Sequence, residues 1–132
     1  MNVIIDPVNN EVVGFAPIGL TINPTFEFLP MPDGFEQDTL GVTRNSDTDE
    51  YDFYIDPIKL ELKKQSIWSA LRAQRNSLLS ACDWTQLNDA QLSQDKKDEW
   101  TVYRQKLRDV PKSVQDPSVP VQWPLEPSAP PP

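Results

Sequence analysis

The sequence predicts an α+β protein: a small N-terminal antiparallel β-sheet, a C-terminal two-helix hairpin and an extended Pro-rich tail. Three observations carry that prediction. All four Gly lie by residue 41, no Pro falls between Pro57 and Pro111, and eight of the fourteen Pro stand from Pro111 onward. Turn-rich, breaker-free and Pro-rich zones therefore follow one another. Charge is partitioned in the same way: residues 1–57 hold eleven acidic groups against Arg44 alone, whereas residues 58–132 hold eleven basic and nine acidic groups. Finally, apolar residues alternate in the first zone and recur at helical spacing in the second. The expected organisation is an acidic β-rich module over 1–57, a helical hairpin over 58–111 and a tail over 112–132.

In the first module, "VII" and "EVVGF" flank "DPVNN", a hairpin signal because Pro pre-sets a turn and Asn tolerates positive φ. "TFEFL" alternates as a strand does, and "PMPDGFE" reads as a loop. "TLGVTR" and "YDFYI" flank "NSDTDE", a second hairpin with a longer connection. Asp56-Pro57 has the form of an N-cap followed by Pro at the first helical position. "KLELK" alternates, however, which moves the expected helix start toward Gln65. Beyond it Ile67, Leu71, Leu78 and Cys82 form one stripe, with Trp68, Arg75 and Leu79 beside it. Ser93 is the expected N-cap of a second helix. Acidic Asp95, Asp98 and Glu99 stand near the start of that helix and basic Arg104, Lys106 and Arg108 near its end, the order a helix dipole favours. Trp100, Tyr103, Leu107 and Val110 make its apolar face, and Pro111 is expected to stop it. The tail, "VPKSVQDPSVPVQWPLEPSAPPP", reads as extended and polyproline-like, with Val119, Val121 and Trp123 alternating along it.

Composition limits function. A net charge of −8 and a pI near 4.4 argue against nucleic acid and anionic membrane, since affinity for phosphates rests on Lys and Arg. No apolar run approaches the roughly 20 residues of a membrane span. The N-terminus lacks a basic region and an apolar core of signal length. The lone Cys82 fits a reducing compartment. These features lead to an expectation of a soluble protein of cytoplasmic origin.

Catalysis finds no footing. There is no His, so the commonest general base and the usual triad are missing. Cys82 lies on an apolar helical face, as a buried structural thiol does. Asp47, Asp49, Glu50 and Asp52 offer oxygen ligands but lack the spacing and central Gly of an EF-hand, and read as a solvated hairpin loop. No metal, cofactor or catalytic residue is assigned. Interaction is the better reading, because Trp and Arg dominate interface hot spots. The candidate partner-binding set is Trp84, Trp100, Tyr103, Arg104, Arg108 and Trp123. For Trp84 and Trp100, packing in the hairpin core is the favoured reading and a binding anchor the alternative. Asp83 is expected to turn the chain by accepting backbone N–H bonds, and Lys97, Arg104 and Arg108 to form a basic stripe opposite Trp100. Trp123, with nothing local to bury it, is expected to dock at long range on the domain or on a partner.

Residues 75–111, "RNSLLSACDWTQLNDAQLSQDKKDEWTVYRQKLRDVP", and the later "VQWPLEP" resemble the tail assembly chaperone family of tailed bacteriophages. The resemblance rests on Arg75, Asn76, Leu78, Leu79, Asp83 to Leu87, Lys96, Lys97, Trp100, Tyr103 to Gln105, Leu107 to Asp109, Pro111, Trp123, Pro124 and Pro127. Asn88 departs from the family's usual Pro, and "PDGFE" with the hairpin after it is similar to the variable N-terminal module of such proteins. The resemblance implies a non-enzymatic protein of the host cytoplasm that binds tail-fibre or another tail protein and assists its assembly or attachment, with possible retention in the virion tail. It offers no catalytic residues to transfer. The alternative is a purely structural tail component, a fibre adaptor or decoration protein.

Overall fold

The computed structural model describes residues 1–20 and 25–128; the last residues of the Pro-rich tail, 129–132, lie outside the described residues. The architecture is α+β. The chain forms two compact units, Met1–Lys63 and Lys64–Pro132.

The first unit holds strands β1 (Asn2–Asp6), β2 (Glu11–Ala16), β3 (Glu27–Pro30), β4 (Leu40–Arg44) and β5 (Tyr51–Ile55). They form two antiparallel sheets rather than one, a three-stranded sheet of order β2-β1-β3 and the β4-β5 hairpin. Both expected hairpins are present, and each turn is built by its first side chain. The Asp6 carboxylate accepts the N–H of Val8 and the amide of Asn9, and Asn10 takes a positive φ of 54°. At the second turn Asn45 Oδ1 accepts the N–H groups of Asp47 and Thr48, and Asp49 takes a φ of 60°. Asn and Asp tolerate this left-handed backbone better than other non-Gly residues. The core of the unit is Val3 and Ile5 of β1 against Leu40 and Val42 of β4, flanked by Val12, Leu29 and Phe53. Gly41 is opposite Tyr54 in the β4-β5 register, and the phenol ring covers the bare backbone there. Lys63 pairs with both Glu36 and Asp38.

Helix α1 runs over Pro57–Ala81. It begins at Pro57, eight residues before Gln65, because Asp56 Oδ1 accepts the N–H groups of Ile58 and Lys59. A capped first turn with Pro in place outweighs the alternation of "KLELK". Helix α2 covers Gln94–Ser113, with Ser93 Oγ capping the Lys96 N–H as expected. Pro111 lies inside α2 and does not stop it. So near the end, Pro removes one helical hydrogen bond and its fixed φ suits the helix. The last turn is closed by the Val114 N–H and the Ser113 hydroxyl, both donating to the Val110 carbonyl.

Candidate functional site

The site is the corner where α1 ends and α2 passes it. Helix α1 has no basic residue in its last turn, so its C-terminal carbonyls need a positive partner from elsewhere. Arg104 of α2 supplies it. Its Nη1 donates to the Leu79 carbonyl at 2.9 Å and approaches Cys82 Sγ at 3.2 Å, while Nη2 pairs with Asp83 at 2.8 Å. Burial draws the guanidinium pKa down, but the bonds to Cys82 and Asp83 outweigh it, and Arg104 titrates above its ordinary range. The Cys82 thiol donates in turn to the Leu78 carbonyl.

After Cys82 the chain makes a 3₁₀ turn, Asp83–Gln86. Thr85 is fully buried and its hydroxyl donates to the Cys82 carbonyl at 2.7 Å; the Gln86 amide then donates to Thr85 Oγ1. The side chains of Asp83, Thr85 and Gln86 thus serve a carbonyl or a neighbour at the helix end. Beneath the turn, Cys82, Trp100, Tyr103 and Leu107 form the core of the unit, with Leu78, Leu79, Leu92 and Trp123 packed around them. Trp100 meets Trp84 and Tyr103 edge to face, with centroids 6.2 and 5.7 Å apart, a geometry favoured by the ring quadrupoles.

Contact between the helices is concentrated at this end of α1. Further back along α1, Ile67 and Leu71 line a groove whose other wall is Val119, Val121 and Trp123 of the segment after α2. That segment has no helix or strand from Val114 to Ser128. It begins with a tight turn in which Asp116 accepts the N–H and hydroxyl of Ser118.

The six candidates therefore separate. Trp100, Tyr103 and Arg104 are buried and hold the corner together. Trp123 is half-buried on the same core, so its long-range contact is with its own domain. Trp84, 49% exposed, stands on the Trp100 edge, and Arg108 is exposed farther along α2. Two sequence expectations are corrected. Arg104 does not share a basic stripe opposite Trp100: at i+4 it lies one turn along the same face. Asp83 pairs with Arg104, and among the described residues no backbone N–H donates to its carboxylate. Leu87, 56% exposed next to Trp84, and the exposed Val102 and Leu125 escaped the candidate set; their signal is apolar character where periodicity predicts none.

Of the acidic stretch Asp47–Asp52, Asp47, Asp49 and Glu50 lie in the β4–β5 turn and Asp52 in β5; Asp49 pairs with Arg44 at 2.8 Å. Among the described residues no group of three acidic, Cys or His side chains is placed to hold a metal ion. No described helix is long and apolar enough to cross a membrane.

What the corner presents is surface: an indole held at the turn between two helices, on a base of ring contacts and charge-assisted bonds. Residues 68–128 match the family model described as phage tail assembly chaperone protein. The match covers the corner, α2 and the tail through Ser128, so the helical unit is similar to that family. No curated protein and no solved structure matches the chain.

Proposed function

We propose that this protein is a non-enzymatic assembly factor that binds tail-fibre protein in the host cytoplasm and assists its assembly or attachment. The observation that carries the reading is that the family-matched residues converge on one built corner. Arg104, Asp83, Thr85 and Trp100 serve to fix the backbone and indole of Trp84. A large aromatic held rigid yet half in solvent loses little entropy on binding, the property of an interface anchor. Trp84, with Leu87 beside it, is then the direct contact, and Arg108 a cation on the same domain. Trp100, Tyr103, Arg104 and Trp123 contribute by positioning.

Co-expression with the fibre protein of the same phage tests this. The fibre is expected to co-purify with the wild type, and Trp84→Ala to lower its recovery at least tenfold while leaving the melting temperature within a few degrees. Recovery equal to wild type would remove Trp84 from the interface, and failure of the wild type to capture the fibre would refute the partner. Its place as an assembly factor rests on capture of the fibre, whether or not some copies are retained in the tail. Stoichiometric amounts in purified virions, by mass spectrometry, would replace this reading with a structural tail component.

A further inference from the structure

The buried face of α2 is accounted for by Trp100, Tyr103, Leu107 and Val110. The opposite face is not. Val102 lies there at 54% exposure, and Leu125 stands near it at 94%, the most exposed large apolar side chain among the described residues. The two share a groove of about 540 Å³ with Asp95, Asp98, Glu99, Tyr103, Lys106 and Pro127. The backbone at Leu125 is restrained: Trp123, two residues before it, packs on the core, and Pro124 and Pro127 restrict the backbone on either side. A solvated leucine on restrained backbone beside a solvated valine is surface that the fold itself does not use.

Charge defines what would cover it. Lys96 neutralises Glu99 and Lys106 stands at the far end, but among the described residues no ion pair reaches Asp95 or Asp98, and Asp98 is bonded only by the neutral Gln94 amide. Glu126 adds a further negative charge, felt at the Tyr103 hydroxyl, whose pKa is raised first by burial and then by that carboxylate. A purely apolar occupant would strip water from these carboxylates without replacing it, and a nucleic acid would be repelled. From Asp95 to Lys106 the helix rises roughly 16 Å at about 1.5 Å per residue, the span of about five residues of extended chain.

We infer that this groove docks an extended segment of a tail protein, one carrying Arg or Lys at the Asp95–Asp98 end and an aliphatic side chain over Val102 and Leu125. The inference deepens the assembly-factor reading and rests on it for the identity of the partner as a tail protein. The cation gives orientation and on-rate, and the aliphatic contact gives residence.

The test uses the full-length, ¹⁵N-labelled protein and two capped synthetic peptides, Arg-Leu-Arg-Leu-Arg and Glu-Leu-Glu-Leu-Glu. The basic peptide is expected to shift the amide signals of Asp95, Asp98, Val102 and Leu125, and the acidic one to shift none. The double variant Asp95→Asn, Asp98→Asn and the single variant Leu125→Ser are each expected to weaken the basic peptide about tenfold; all three side chains are exposed, so the melting temperature should fall by no more than a few degrees, the loss of favourable charge at the start of α2. Shifts confined to the Asp47–Asp52 turn or to Trp84, or equal affinity in the variants, would overturn the groove. The fibre experiment separates the two ideas. Peptide binding without fibre capture sinks the fibre reading and keeps the groove; fibre capture undiminished in the groove variants sinks the groove and keeps the fibre reading.

Discussion

Replacing Arg104 with Ala removes the cation that meets the end of α1. Its charge-assisted bond to the Leu79 carbonyl is worth about 1.5–3 kcal/mol. The pair with Asp83 adds little, about 0–1 kcal/mol, because the carboxylate side is 64% exposed. The buried aliphatic stem adds roughly 1–2 kcal/mol of lost packing. Against these stands the desolvation of the guanidinium, which the variant no longer bears. The Leu79 carbonyl also keeps the Cys82 N–H as a donor, so no orphaned acceptor is added. The expected net loss is about 2–4 kcal/mol, whereas Asp83→Ala should lose no more than about 1 kcal/mol. Urea unfolding followed by tryptophan fluorescence reads both, because Trp84 and Trp100 report on the corner directly. The reasoning fails if Arg104→Ala lies within about 0.5 kcal/mol of wild type. It also fails if Asp83→Ala costs as much as Arg104→Ala, since the solvated ion pair rather than the helix-end bond would then carry the corner.

Other expectations follow from the same geometry. Trp123→Ala should cost about 1–3 kcal/mol, less than a fully buried Trp, and should raise amide exchange across residues 117–127 while α2 stays protected. Asp116 titrates below the ordinary carboxylate value, first through the Ser118 hydroxyl and then through the Ser118 N–H. A depressed folded value means its contribution is present above the unfolded value of about 3.9 and is lost as pH falls through the folded one. Ser118→Ala should move the NMR titration midpoint of Asp116 upward, and an unmoved midpoint would discard that assignment. A Cβ at residue 41 would come within 2.5 Å of the Tyr54 ring. Gly41→Ala should therefore push the ring outward, abolish ring-current shifts on residue 41 and cost about 1 kcal/mol, read by NMR and thermal melting. Cys82, 2% exposed, should react with a thiol reagent in native protein far more slowly than in urea, and equal rates would show that the corner opens freely.

The strands, both turns and both helix caps were legible in the sequence because their causes are local. Asp6, Asn45, Asp56 and Ser93 each bond backbone two or three residues away, within reach of any pattern. The same reading misplaced the start of α1 and the end of α2, where weak alternation and a lone Pro competed with caps that tertiary context left intact. At the candidate site the residue types were legible and their roles were not. The motif named Asp83, Trp84, Trp100, Arg104 and Trp123 together, but nothing local says which is core and which is surface.

Arg104 illustrates the reason. Its spacing from Trp100 puts it on the buried face, and only the fold shows why a charge is stable there: the end of another helix, 25 residues back, supplies the carbonyl it needs. Trp123 is similar, since a Pro-rich segment has no periodicity from which to infer a face, and its docking depends on an apolar cluster drawn from Cys82, Trp100, Tyr103 and Leu107, well upstream in the chain. By itself the sequence determined the fold class, the turns, the caps and the resemblance to a family over residues 68–128, all of which follow from short-range bonding or from residue patterns. The tertiary structure alone decided that Trp100 and Arg104 hold the corner while Trp84, Val102 and Leu125 face solvent, because burial is a property of what lies opposite in space.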